Sequence, residues 1–368
     1  MTEKEVLQKK LTELEKEYAK THHNKATNKH LGILRAKIAN TKKKMSERKK
    51  KSGKGFVVKK TGDATVALVG FPNAGKSSLL KLLTNVESKV ADYAFTTIDA
   101  IPGILEYKGA KIQVFDLPGL IEGAHIGKGG GAQIASAIRI ANLIVFVIDS
   151  ANSQNLYVLL KELNDLGIHA GKSKPEMRME KLNSGGIKIE NQGYKIPDND
   201  TIMKIINEFG IYNCIIHFVN NATEDELIDF LGGNDIYVNA IVALNKIDVN
   251  EKYLQTKAEV EKKTGMKVVT ISALKNMNID QLREGIFKAL QMSRIYLKPK
   301  DGSADFNKPI IVKEGSTVFE VAKKLHSEIA KNLKYAYVTG KSVKFKSQKV
   351  GKDHALTDED VLTLVYQN

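Results

Sequence analysis

The segment GFPNAGKS at residues 70–77 satisfies the pattern G-x-x-x-x-G-K-[ST]. It follows a short apolar run, ATVALVG, and precedes SSLLKLLTN, which has the composition of a helix. In such a loop the glycines let backbone N–H groups surround a phosphate chain, while the lysine reaches the β- and γ-phosphates and the hydroxyl binds Mg²⁺. The pattern therefore predicts a phosphate-binding loop in which Lys76 contacts phosphate and Ser77 is a Mg²⁺ ligand.

A second pair of segments has the chemistry needed to recognise a guanine base. NKID at 245–248 follows the apolar run NAIVALN, and SAL at 272–274 follows the next apolar run. The two segments resemble the N-K-x-D and S-A-x motifs of P-loop GTPases. That resemblance implies that Asp248 accepts hydrogen bonds from guanine N1–H and its exocyclic amine, and that the backbone of 272–274 contacts O6. Adenine presents a donor where guanine presents an acceptor, so ATP would leave groups in this pocket unpaired. The predicted GTP-binding residues are Asn73, Ala74, Gly75, Lys76, Ser77, Ser78, Asp116, Gly119, Asn245, Lys246, Asp248, Ser272, Ala273 and Leu274.

Two segments between these motifs are predicted to sense the γ-phosphate. Thr97, 20 residues beyond Ser77, is the expected second Mg²⁺ ligand, with a plain strand-edge threonine as the alternative. Asp116 ends the run KIQVFD and would hold Mg²⁺ through water, while the N–H of Gly119 would touch the γ-phosphate. Loss of that phosphate would release both segments, as in a molecular switch. Leu120 stands where many nucleotide hydrolases have a glutamine that orients water. The predicted catalytic residues are Lys76, Thr97 and Gly119.

Short apolar runs alternate with helical stretches from residue 64 onward, which predicts the elements that carry these motifs. Continuous apolar strands bounded by loops indicate a mostly parallel sheet covered on both faces, so we expect a doubly wound α/β domain over 62–292. The segment from about 170 to 238 breaks the alternation and is predicted to be an α+β insertion. A small β-rich module with a helix at 317–331 is expected over 293–368, and a basic helical hairpin with a linker over 1–55.

The net charge of +15 is concentrated at the two ends of the chain. Residues 1–60 hold 19 lysines and arginines against 6 acidic residues, and residues 293–368 hold 14 against 9. This asymmetry predicts a polyanionic partner, most simply RNA, with a solvated hinge as the alternative for the linker TKKKMSERKKKSGKG. We expect a cytoplasmic protein with no membrane partner. The single cysteine cannot form an internal disulfide, no secretory signal is visible, and the apolar runs are too short to span a bilayer.

Together, GFPNAGKSSLL, DYAFTTIDAIPG, DLPGLIEGA, NKID and SAL resemble the Obg-like, translation-factor-class P-loop GTPases. The segments NKATNKHLGILRAKI, IQVFDLPGLIEGAHIGKGGG and YAYVTGKSVKFKSQKVGKDHALTDEDV are similar to the developmentally regulated GTP-binding protein (DRG) family in its archaeal form. The resemblance implies a P-loop GTPase domain, an insertion like ribosomal S5 domain 2, and a C-terminal TGS domain of β-grasp shape. It also implies GTP as substrate, Mg²⁺ as cofactor, and a dedicated regulatory protein as a partner.

Three positions depart from the pattern usual in that family: Asn73, and also Gly130 and Ala132, where relatives usually have arginine. Asn73 stands where relatives usually have serine, and in related potassium-stimulated GTPases an asparagine here helps to bind K⁺. A K⁺ at Asn73 would neutralise transition-state charge as an arginine finger does, whereas the alternative is an asparagine that only satisfies the loop backbone. The sequence therefore favours a slow, Mg²⁺-dependent GTPase switch associated with ribosomes or other RNA. The alternative is a nucleotide-sensing regulatory module whose hydrolysis is incidental.

Overall fold

The computed structural model describes residues 3–22, 27–49, 62–84, 102–116, 137–233, 235–299 and 302–367. The chain divides into two compact units, one formed by 1–55 with 167–237 and the other by 56–166 with 238–368. Within these described ranges, no helix has the length and apolar character needed to cross a membrane.

The described residues form helices and strands that are numbered here in chain order. The helices are α1 (Glu3–Lys20), α2 (Asn28–Lys49), α3 (Lys76–Leu83), α4 (Asn155–Asp165), α5 (Asn199–Glu208), α6 (Glu224–Gly232), α7 (Tyr253–Thr264), α8 (Ile279–Ala289), α9 (Val318–Leu325) and α10 (Ser327–Asn332). The strands are β1 (Ala64–Val69), β2 (Pro102–Tyr107), β3 (Ala110–Asp116), β4 (Leu143–Asp149), β5 (Ile168–Ala170), β6 (Met177–Lys181), β7 (Ile187–Asn191), β8 (Cys214–Phe218), β9 (Ile236–Asn245), β10 (Val268–Thr270), β11 (Met292–Leu297), β12 (Ile310–Lys313), β13 (Leu333–Thr339), β14 (Gln348–Val350) and β15 (Val361–Tyr366).

The larger unit is built on a sheet with the strand order β10-β9-β4-β1-β3-β2. All neighbouring pairs are parallel except β2 with β3, which form an antiparallel edge. Every residue of β1 is buried, as expected for a central strand with helices packed on both faces. The predicted doubly wound α/β fold is therefore confirmed, with one antiparallel strand at its edge.

The strand register brings the predicted motifs to one edge of this sheet. Leu68 of β1 lies opposite Asp116 of β3, and Leu244 of β9 lies opposite Thr270 of β10. Parallel strands present their carboxyl ends on the same edge, which is where open α/β sheets bind ligands. The loops after β1, β3, β9 and β10 consequently begin side by side, although they are far apart in sequence.

The C-terminal part of the larger unit has its own five-stranded sheet, in the order β12-β11-β15-β13-β14, with α9 and α10 beside it. The prediction of a single helix over 317–331 is wrong in one respect. The structure has two helices there, α9 and α10, separated by His326, which has extended backbone angles. Residues 341–347 lie outside any strand, and β14 begins only at Gln348. There the N–H groups of Lys344 and Phe345 donate to the side-chain oxygen of Gln348, which closes a turn.

The smaller unit contains a three-stranded sheet, β6-β8-β7, with α5 and α6. Its core includes Ile202, Ile216 and Leu227, together with Ala36 of α2. The N-terminal helices are thus a hairpin, with Leu11 and Leu34 buried, but α2 also completes the core of the inserted segment. Some apolar residues of α2 face α1 and others face the inserted segment. Both sets recur with the same helical period, so the sequence pattern did not show which partner each residue contacts.

Several N-terminal cations pair with acidic residues of the inserted segment. Lys29 lies 3.3 Å from Asp198, and Arg35 lies 3.4 Å from Glu224 and also bonds Asp225. Part of the positive charge of α2 is therefore compensated within the smaller unit. The lysines of α1 at positions 9, 10, 16 and 20 are exposed.

Candidate nucleotide-binding site

The loop between β1 and α3 has the backbone geometry of a phosphate-binding loop. Gly75 has φ +96° immediately before α3, and Asn73 has φ +60°, both in the left-handed region that glycine and asparagine tolerate best. A Cβ on Gly75 would also clash with the side-chain nitrogen of Asn245. The Lys76 ammonium donates to the carbonyls of Gly70, at 3.0 Å, and Phe71, at 3.1 Å, so it holds the loop.

The side chain of Asn245 connects the phosphate-binding loop to the 272–274 segment. Its side-chain nitrogen donates to the carbonyl oxygen of Ala74 at 2.8 Å, and its side-chain oxygen accepts from the N–H of Ala273 at 2.9 Å. The residue is only 2 % exposed. Both polar ends of Asn245 are thus engaged within the protein, where they hold the phosphate loop and the 272–274 segment at a set separation.

Lys246 is held by residues that lie outside the predicted motifs. Its ammonium lies 2.8 Å from the carboxylate of Asp149, and its carbonyl accepts from the Ser150 hydroxyl at 3.1 Å. Lys246 has φ +62°, a conformation that these contacts keep in place. Asp149 and Ser150 could have been found in the sequence, because a polar pair ending a buried apolar run falls on the same sheet edge as the other motifs.

A cavity of about 470 Å³ lies between the two motifs. It is lined by Asn73, Gly75, Lys76, Ser77, Ser78, Asn245, Lys246, Asp248, Val249, Ala273 and Leu274. Ala74 and Ser272 are buried behind this lining, with Ser272 0 % exposed, whereas Leu274 is 82 % exposed. The cavity therefore gathers the phosphate-loop residues and the base-recognition residues around one space.

The 272–274 segment has fewer backbone donors to offer than its sequence suggests. The Ser272 N–H donates to Met277, and the Ala273 N–H donates to Asn245. Within the described residues, only Leu274 of these three has no acceptor for its N–H. In this geometry the predicted contact to guanine O6 would come from Leu274, unless Ala273 exchanges its acceptor.

Ser77 and Asp116 are arranged as expected for two groups around one Mg²⁺. The Ser77 hydroxyl donates to one carboxylate oxygen of Asp116 at 3.1 Å. The other oxygen of Asp116 is buried and has no hydrogen-bond partner among the described residues. Burial raises the pKa of Asp116, while the nearby Lys76 and the Ser77 hydroxyl oppose that rise. A hard cation fits this hydroxyl and carboxylate pair, because it would satisfy the second oxygen.

The other predicted switch residues lie outside the described part of the chain. Thr97 falls in the segment 85–101, and Gly119 and Leu120 fall in the segment 117–136. Their roles as Mg²⁺ ligand, γ-phosphate contact and glutamine replacement therefore stay predictions from sequence.

Comparison with known families and proteins agrees with this site. Residues 65–181 match the family model described as "50S ribosome-binding GTPase", 184–292 match the model for the C-terminal region of that domain, and 293–366 match the TGS domain.

Individual relatives match along almost the whole chain. An uncharacterized GTP-binding protein of Methanocaldococcus jannaschii is 42 % identical over 365 residues, covering 98 % of this chain and 93 % of the relative. Developmentally-regulated GTP-binding protein 1 of Xenopus laevis is 42 % identical over 364 residues, covering 97 % and 98 %. The solved YchF GTPase of Schizosaccharomyces pombe is 13 % identical with a TM-score of 0.49, covering 85 % of this chain and all of that one. With the assembled P-loop and guanine motifs, the family models and the two relatives at 42 % identity show that the chain is a GTP-hydrolysing P-loop GTPase and belongs to the developmentally regulated GTP-binding protein family.

Proposed function

We propose that the chain is a slow, Mg²⁺-dependent GTP switch that acts on ribosomes or other RNA in the cytoplasm. The observation that carries the nucleotide part is the Asn245 bridge, which joins the phosphate loop to the guanine motif around one cavity. GTP binding there would be read out by Thr97 and Gly119, whose segments contain the predicted contacts to Mg²⁺ and the γ-phosphate.

The residues of the site divide the work of hydrolysis between them. Lys76, which holds loop carbonyls in this structure, would turn to the β- and γ-phosphates when nucleotide enters. Ser77 would bind Mg²⁺ directly and Asp116 through water, since their side chains already face each other. Mg²⁺ held by Ser77 and Asp116 would supply positive charge that offsets the negative charge developing on the phosphate oxygens.

Because Leu120 stands at the position of the water-orienting glutamine, catalysis needs a group from elsewhere. The leucine side chain has no donor or acceptor, so it cannot orient the attacking water as a glutamine does. We propose that a K⁺ bound with the help of Asn73, or a group from a partner, supplies the missing stabilisation. Asn73 lines the cavity and is exposed, which supports this role. Its left-handed backbone is equally compatible with the alternative that it serves only the loop.

The proposal of a ribosomal or RNA partner is supported by charge and by the matched family. The +15 net charge is concentrated at the two ends of the chain, and the family model that matches residues 65–181 is described as a ribosome-binding GTPase. The exposed lysines of α1 are better placed for phosphate contacts than the α2 cations that pair with the insertion. A regulatory protein of the kind that family members use is a second proposed partner.

Single-turnover GTP hydrolysis tests the switch. The rate should rise when Na⁺ is replaced by K⁺ or when ribosomes are added, because an added cationic stabiliser is worth about 10³–10⁵ in rate in this enzyme class. Ribosome co-sedimentation should also differ between GDP and a non-hydrolysable GTP analogue. No acceleration under any of these conditions would favour the alternative function.

That alternative is a regulatory module that senses GTP and GDP while hydrolysis remains incidental. The replacement of the water-orienting glutamine by Leu120 favours it, since a sensor needs nucleotide affinity more than turnover. It predicts nucleotide-dependent ribosome binding without any stimulation of hydrolysis.

A further inference from the structure

His169, Asp229 and Asp235 form a cluster within the smaller unit, separate from the nucleotide cavity. Their ligand-type atoms all lie within 4.8 Å of one another. His169 is on β5, Asp229 is on α6, and Asp235 directly precedes β9. The Ile236 N–H donates to the carbonyl of Gly167 at 2.9 Å, so β5 and the start of β9 are held side by side. The cluster therefore joins β5 to the residues that begin β9, at the two ends of the inserted segment.

The two distances from His169 to the carboxylates suit one shared cation. Nε2 of His169 lies 3.2 Å from a carboxylate oxygen of Asp229 and 3.3 Å from one of Asp235. Two ligands bound to the same ion at about 2.0–2.2 Å each lie about 3–3.5 Å apart. An imidazole nitrogen has a single proton or lone pair in the ring plane, so it forms a well-directed hydrogen bond to only one of the two carboxylates. A cation bound by Nε2 of His169 could be bound by both carboxylates as well.

The surroundings of the cluster orient its members and exclude much of the water. The side chains of His169, Asp229 and Asp235 are 11 %, 20 % and 21 % exposed. The Tyr237 ring stacks on the His169 ring with centroids 4.7 Å apart, and its hydroxyl donates to Asp229 at 3.0 Å. Such neighbours fix the direction of metal-binding side chains.

We propose that His169, Asp229 and Asp235 form a binding site for a divalent transition-metal ion of the Zn²⁺ type. One imidazole and two carboxylates match the donors that Zn²⁺ accepts, whereas Mg²⁺ prefers an all-oxygen octahedral shell. Three protein ligands leave one position for water. The ion would fasten β5, α6 and the start of β9 to one another, so it would stabilise the inserted segment. The proposal is independent of the nucleotide chemistry.

The test uses the full-length chain, freed of nucleotide and metal, and dialysed against Zn²⁺ in the presence of excess Mg²⁺. The wild-type chain should retain one Zn²⁺ and gain thermal stability. The Asp235→Asn and His169→Gln variants should lose both effects, and Tyr237→Phe should bind about 10–100-fold more weakly because it removes an orienting partner. The matched control is Glu190→Gln, since Glu190 forms a histidine–carboxylate pair with His217 at 2.9 Å but offers that histidine a single carboxylate in the described structure.

Circular dichroism and GTP affinity would establish that each variant is folded. X-ray absorption at the zinc edge of the wild-type chain gives a reading that needs no variant: one imidazole and oxygen ligands are expected. The proposal is overturned if the wild-type chain retains no Zn²⁺, if Asp235→Asn retains as much as the wild type, or if the spectrum shows sulfur or several imidazoles.

Discussion

The side-chain amide of Asn245 donates a hydrogen bond to the carbonyl oxygen of Ala74, 2.8 Å away, although 171 residues separate them in the chain. The same amide accepts from Ala273, so a single buried side chain sets the positions of both halves of the nucleotide cavity. A residue of the base-recognition motif therefore acts by positioning the phosphate loop.

Replacing Asn245 with alanine should weaken the binding of every nucleotide, whatever its base. The change leaves the Ala74 carbonyl and the Ala273 N–H without their partner, at about 1–3 kcal/mol each, so the two together predict a loss of affinity of about 30-fold or more. Fluorescent GTP and xanthosine triphosphate would measure it. Asp248→Asn is the comparison, because it should alter base preference instead. If Asn245→Ala affected GTP alone, the bridging role would be wrong.

Ser77→Ala should remove the dependence of GTP binding and hydrolysis on Mg²⁺. The hydroxyl that faces Asp116 at 3.1 Å is the predicted direct ligand. Hydrolysis should fall by about 100-fold or more, since the metal supplies several kcal/mol of charge stabilisation. GTP affinity in Mg²⁺ buffer should approach the value that the wild-type chain shows in EDTA. A variant that remained as sensitive to EDTA as the wild type would contradict this assignment.

Glu284→Gln should lower stability at neutral pH and have less effect in acid. The Lys108 ammonium, 2.7 Å away, and the Tyr107 hydroxyl, 2.9 Å away, hold the pKa of Glu284 at about 2, below its ordinary value of 4.5. A lowered folded-state pKa means that the stabilisation is complete above about pH 4.5 and is lost as the pH falls towards 2.

Urea unfolding at several pH values would measure this difference, expected to be about 1 kcal/mol at pH 7 because the group is partly solvated. Glu106→Gln is the matched control. Glu106 pairs with Lys111 at 3.8 Å on the surface, with both side chains about two-thirds exposed, so its removal should change little. A pH-independent difference between wild type and Glu284→Gln would disprove the assignment.

Charge reversal at Lys9 and Lys16 should weaken RNA binding while GTP affinity stays unchanged. Both lysines are exposed on α1, and the slope of log K against log salt should flatten by about 0.7 for each phosphate of single-stranded RNA that the variant no longer neutralises. Filter binding at several salt concentrations would measure it, with Lys262→Glu on α7 as the control. Deletion of residues 1–55 is a poorer test, because it removes Ala36 from the core of the smaller unit. A slope that did not change would argue against α1 as the RNA-binding element.

The chemistry of the nucleotide site was determined by the sequence itself. GFPNAGKS predicted the phosphate-binding loop because the whole motif lies in one short segment. Its glycines allow the tight backbone turn and its lysine provides the phosphate contact, and neither depends on residues elsewhere in the chain. The runs ATVALVG, KIQVFD and NAIVALN likewise predicted the buried strands β1, β3 and β9, because continuous apolar runs have few other structures open to them, whereas the edge strand β2 was not predicted.

Only the tertiary structure decided which residues meet. The Asn245 bridge to Ala74, the hold of Asp149 on Lys246, and the meeting of His169 with Asp229 and Asp235 all join distant segments. The same holds for α2, whose apolar face and cations are used by the inserted segment as well as by α1. The spacing of apolar residues in the sequence predicts that a side chain is buried. Which residue it contacts depends on strand order and register, and these are set only when the whole chain packs.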